Sequence, residues 1–100
     1  MGYIKKALDQ KPNDAAILDS YGWVLYRKGD LAESQTYLKK AFSTFRDPEI
    51  AAHLGEVLWI NGQKGEARKG WREGMKLNPD QDDMKRVREK YPEAFATGGR

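Results

Sequence analysis

Cysteine is absent from this chain of 100 residues, which excludes disulfide staples and thiolate metal sites. The absence does not choose a compartment, because a cysteine-free chain suits cytosol and periplasm alike. Histidine is represented by His53 alone, so an acid–base or metal centre would have to rest on a single imidazole. No apolar run approaches the ~18 residues that a membrane helix requires, and no basic-then-apolar segment opens the chain. Strong charge of one sign is lacking as well: 18 Lys and Arg stand against 15 Asp and Glu, interspersed in sign, for a net charge of +3. That pattern belongs to a solvated helical surface rather than to a nucleic-acid footprint. The expectations are one small non-enzymatic domain with no cofactor, no metal, no nucleic-acid partner and no direct membrane insertion.

What the chain does contain is an internal repeat. Leu18-Asp19-Ser20-Tyr21-Gly22-Trp23-Val24-Leu25-Tyr26-Arg27-Lys28-Gly29 aligns with Ala51-Ala52-His53-Leu54-Gly55-Glu56-Val57-Leu58-Trp59-Ile60-Asn61-Gly62 at a spacing of 33 residues. Gly22 falls on Gly55, Gly29 on Gly62, Leu25 on Leu58, Ser34 on Ala67 and Leu38 on Trp71. A period in this range marks stacked helical repeats, which build extended binding surfaces and rarely a closed catalytic pocket.

Punctuation and periodicity divide the chain into helices. Tyr3, Ile4, Ala7 and Leu8 share one face of a first helix that ends before Lys11-Pro12-Asn13-Asp14. A second runs from about Ala15 to Lys28, capped by Asn13 or Asp14 and stopped by Gly29. Asp30 and Glu33 have capping-box spacing and open a third, with Leu31, Ser34, Tyr37, Leu38, Ala41, Phe42 and Phe45 on its apolar side. Asp47-Pro48 starts a fourth helix over about Pro48–Ile60. A fifth spans about Lys64–Leu77. It contains Gly65, Gly70 and Gly74, each costing about 1 kcal/mol relative to Ala, and is therefore the least stable unless close packing explains them. A polar sixth helix over about Gln81–Lys90 has the character of a capping helix, with a thin apolar edge of Met84, Val87 and Tyr91. Residues 92–100 read as a disordered tail. The divisions are 1–14 (half a repeat), 15–47, 48–80 and the cap 81–91, all within one domain over 1–91. A chain that starts in mid-repeat is expected to be a fragment of a longer protein.

The residues resemble the tetratricopeptide family, whose pattern is W-x2-L-G-x2-Y, then A-x3-F, then P. Here one repeat reads Leu18-x2-Tyr21-Gly22-x2-Leu25, then Ser34-x3-Leu38 and Ala41. The next reads Ala51-x2-Leu54-Gly55-x2-Leu58, then Ala67-x3-Trp71, Gly74 and Pro79. Ser34 and Gly74 depart from the usual alanines, and Arg46 stands where a proline is usual. The resemblance implies an all-α fold, a right-handed superhelical solenoid of antiparallel helix pairs, acting as a protein-interaction scaffold or adaptor. More narrowly, the repeats are similar to C-terminal repeats of large proteobacterial proteins of the family. That implies a bacterial source, in the cytoplasm or, within a longer parent, in the periplasm or envelope.

The resemblance also assigns a site. In such folds the first helix of each pair lines a concave groove, which places Trp23, Tyr26 and Arg27 on one helix and His53, Glu56 and Trp59 on the other along it. Aromatics and Arg are the types enriched at binding hot spots. The alternative is that Trp23 and Trp59 pack between neighbouring helices and stiffen the array. Asp19 and Glu56 on the same stripes would repel a peptide carboxylate, so no chaperone-tail clamp is expected. Glu49 and Glu56 flank His53 at ordinary helix-surface spacing, and no catalytic role is expected of them. A second reading is self-association, including a homodimer, through an uncovered face of Tyr3, Ile4 and Leu8.

Overall fold

A computed structural model describes residues 10, 11 and 13–96 of the chain. The expected self-association face of Tyr3, Ile4 and Leu8 lies outside the described residues. Those described are all-helical, with α1 Ala15–Arg27, α2 Leu31–Thr44, α3 Pro48–Ile60, α4 Lys64–Leu77, α5 Asp82–Lys90 and α6 Pro92–Ala96. They divide into two compact units with the boundary between Arg46 and Asp47.

In the first unit α1 packs along α2. Asp14 caps α1 by accepting from the Ile17 amide at 3.1 Å, and Asp30 caps α2 by accepting from the Glu33 amide at 3.4 Å. Between them the chain reverses through Gly29, whose φ of +90° is strained for any residue with a Cβ. The Gly29 amide donates to the Tyr26 carbonyl and the Asp30 amide to the Leu25 carbonyl, both at 2.9 Å. This Schellman closure satisfies carbonyls that the helix end leaves open. The core is Leu18, Tyr21 and Leu25 against Leu38 and Ala41. The close approach is made at Gly22: a Cβ there would sit 2.8 Å from Leu38 Cγ. Ser34 uses the same proximity to donate its hydroxyl to the Gly22 carbonyl at 2.7 Å. Phe45, read as part of the apolar side, lies just past the end of α2 and is 59% exposed.

The second unit repeats the plan and extends it. Asp47 caps α3 with Pro48 at its first position. The turn at Gly62 (φ +84°) is closed by the Gly62 amide on the Trp59 carbonyl and the Gln63 amide on the Leu58 carbonyl. It is the α1–α2 turn over again. Gly55 meets Trp71, as Gly22 meets Leu38. The Trp71 indole donates Nε1–H to the Ala52 carbonyl at 3.1 Å. Residues from Ile50 to Trp59 are buried without a break, as expected of a helix that neighbours cover on more than one side. α4 and α5 both pack on α3. Gly74, one of the three glycines of α4, is accounted for by this packing, since its Cβ would sit 2.6 Å from Met84 Sδ. Gly65 and Gly70 face open space.

The tail reading is corrected at residues 92–96, which form the short helix α6. Its cause is aromatic: Phe95 stacks on Trp71 with ring centroids 5.3 Å apart, and Ala94 is buried.

Candidate functional site

The six residues expected to contact a partner separate into two groups. Trp23 and Tyr26, three residues apart on α1, are half-buried and lie ring against ring with centroids 4.8 Å apart. Arg27 beside them is exposed. None belongs to the Leu18–Tyr21–Leu25 core face. On the first unit, then, the stripe holds a partly exposed aromatic pair with an exposed arginine next to it.

On the second unit the expected contact residues are buried: His53 is 6%, Glu56 1% and Trp59 7% exposed. An open groove wall at these three residues is therefore corrected to an internal layer, and α5 is the reason. Glu56 lies in an otherwise apolar stretch of α3, where a lone carboxylate would be costly. Three donors from α5 and the residue that follows it answer it: Arg86 Nη1 at 2.8 Å, the Tyr91 hydroxyl at 2.9 Å and Lys90 Nζ at 3.1 Å. Burial pushes the Glu56 carboxyl up, but the hydrogen bonds from Arg86 and Tyr91, the charge of Arg86 and the bond from Lys90 outweigh it. The group is held below its ordinary value of 4.5. Arg86 is shifted the other way: burial lowers it, while its bond to and attraction by Glu56, with Asp83 adding to both effects, raise it above the ordinary guanidinium value. Asp83 accepts from Arg86 Nε at 3.4 Å and lies 3.6 Å from His53 Nε2. Glu56 thus ties α3 to α5, and His53 lies beside Asp83 of the same helix.

Trp59 belongs to an aromatic cluster. It lies 5.7 Å from Trp71 and 5.9 Å from Tyr91, centroid to centroid, and Trp71 stacks on Tyr91 at 5.4 Å. Two cations of α4 cover it, Lys64 Nζ at 4.7 Å and the Arg68 guanidinium at 5.5 Å from the ring centroid. The sequence reading missed Arg86, Lys90 and Phe95, and it placed Tyr91 on the apolar edge of the capping helix without its bond to Glu56. An acid inside the Ile50–Ile60 stretch demands cations, and Arg86 and Lys90 stand one turn apart on α5, the second helix after it. Phe95, four residues after Tyr91 and behind a helix-starting proline, was the corresponding aromatic signal. No helix among the described residues is long and apolar enough to cross a membrane.

Comparison with known proteins gives three findings. No family model matches the chain. Over 53 residues, 53% of this chain, it is 53% identical to a TPR repeat-containing protein of Pseudomonas aeruginosa, and the match spans 9% of that protein's length. It is similar in structure to a thermophilic TPR protein of Thermus thermophilus, with a TM-score of 0.77 and 25% identity over 93% of this chain and 46% of that one. The chain is therefore much shorter than either relative. A repeat fold of this kind supports protein–protein interaction in general, and such repeats are generally scaffolds rather than catalysts.

Proposed function

Taking tetratricopeptide repeats as the architecture, we propose that the chain binds a peptide or helix of a partner protein through the α1 face of Trp23, Tyr26 and Arg27. The half-exposed aromatic pair carries the reading: Trp23 and Tyr26 pack on each other at 4.8 Å, so their surface is already ordered before a partner arrives. Rigid aromatics beside an arginine lose little entropy on binding and gain from desolvation. His53, Glu56 and Trp59 enter this reading as the layer that fixes α3, not as direct contacts. The face is the one that the family resemblance assigns to partner binding.

The test uses a photo-crosslinking residue in place of exposed Arg27, in the otherwise native chain and in the Trp23→Ala/Tyr26→Ala background. Circular dichroism checks that both are folded. Covalent adducts identified by mass spectrometry should be specific to the native aromatic pair. The same adducts in the same yield from both proteins would sink the proposal.

A further inference from the structure

One flank of α4 is basic along its length. At about 100° per residue, Lys64, Arg68, Lys69, Arg72 and Lys76 fall within roughly 140° of its circumference, while Glu66 and Glu73 lie beyond that arc. Lys64, Lys69, Arg72 and Lys76 are exposed and Arg68 is half-buried. Arg88 joins them from α5, its Nη1 3.6 Å from Sδ of Met75, one turn past Arg72.

These cations differ from those that hold α5. Arg86 and Lys90 are bound to Glu56. Among the described residues, Lys64, Arg68, Arg72 and Arg88 form no ion pair. Lys64, Arg68 and Arg72 also repeat at a spacing of four, where like charges oppose helix formation. Arg68 is the best placed of them. Its Nε is sealed from solvent without a hydrogen-bond acceptor, and its guanidinium lies over the Trp59 ring. Stacking on an indole fixes the planar group at one end, so its terminal nitrogens are oriented before any ligand arrives.

We propose that Lys64, Arg68, Arg72 and Arg88 form a second interaction surface, which takes a protein segment carrying spaced carboxylate side chains. Arginine forks match single carboxylates in a bidentate manner. A nucleic acid fits less well: the chain carries a net charge of only +3, and Glu66 and Glu73 border the flank, so a continuous polyanion would meet repulsion on one side.

The probe is a fluorescein-labelled peptide with Glu at every third or fourth position, titrated into the full chain and followed by anisotropy. The same peptide with Gln for Glu and a single-stranded DNA of equal length are run beside it. The Glu peptide should bind and the Gln peptide should not. Arg68→Gln/Arg72→Gln should weaken binding by at least about ten-fold, and Arg88→Gln by a smaller factor. Raising salt from ~0.05 to ~0.3 M should weaken it further. Trp23→Ala/Tyr26→Ala should leave it unchanged, which separates failure here from failure of the α1 face. No binding of the Glu peptide, unchanged affinity in the folded double variant, or equally tight binding of the DNA would each overturn the proposal.

Discussion

Gly55→Ala adds one methyl group to a helix that, on propensity alone, should welcome it. Exposed in a helix interior, the change would stabilise by about 1 kcal/mol. Here the new Cβ lands on the indole of Trp71, a side chain that is 1% exposed and has no free space to enter. Either the indole rotates or α3 and α4 separate. Overpacking a well-filled site costs about 1–3 kcal/mol. Displacing the indole also breaks its 3.1 Å hydrogen bond to the Ala52 carbonyl, and stranding that buried donor costs about 1–3 kcal/mol more. After the propensity gain is subtracted, the variant should lose about 3 kcal/mol, a large share of what a small unit possesses. Urea unfolding followed by circular dichroism measures the loss. A control sharpens it: Trp71→Leu installs the side chain that repeat one uses at Leu38. In that background Gly55→Ala should cost markedly less, because the clash is with the indole ring, and the two changes should be non-additive. A neutral or stabilising Gly55→Ala in the native background would refute the steric account of the paired glycines.

The other glycines of α4 give the opposite expectation. Gly65 and Gly70 have nothing within 4 Å of a built Cβ, so Gly65→Ala and Gly70→Ala should each stabilise by about 0.5–1 kcal/mol in the same urea assay. Glu56→Gln removes the carboxylate that pairs with Lys90 and with Arg86 Nη1, while Arg86 keeps Asp83. Breaking a fully buried pair costs about 3–5 kcal/mol, but the side chains of Arg86 and Lys90 are 37% and 56% exposed, which reduces the expected loss to about 2 kcal/mol. The same carboxyl sets a pH dependence. Its folded pKa lies below the ordinary value of 4.5, so its stabilisation is complete above that value and is lost as pH falls through the folded pKa. Acid titration of unfolding free energy should therefore show a steeper fall for the native chain than for Glu56→Gln. Parallel curves would remove Glu56 as a source.

Much of the fold was legible because it depends on local chemistry or on spacing. Asp14, Asp30 and Asp47 cap the helices they precede, since a capping oxygen needs only the next turn of backbone. The glycine pairs were legible through their period, and Gly29 and Gly62 do make identical turns. Exposure was not legible in the same way. Glu56 and Trp59 occupy the positions that repeat one gives to Trp23 and Tyr26, and a stripe defined on a single helix carries no information about what is laid over it. In the second unit α5 and Tyr91 occupy the space next to that stripe, and the polar contents of α3 are spent in holding them. The one clue was chemical: a carboxylate among apolar residues must be answered, and Arg86 and Lys90 answer it. α6 escaped for a related reason. A helix of five residues is too short to stand by itself, so its local pattern of Pro92 and then Phe95 does not suffice to announce it. It forms because Phe95 has Trp71 to stack on. The divergence between the two repeats follows from these partners. Equivalent positions receive surface work in one unit and structural work in the other, so a partner-binding role is more safely sought on Trp23 and Tyr26 than on both stripes at once.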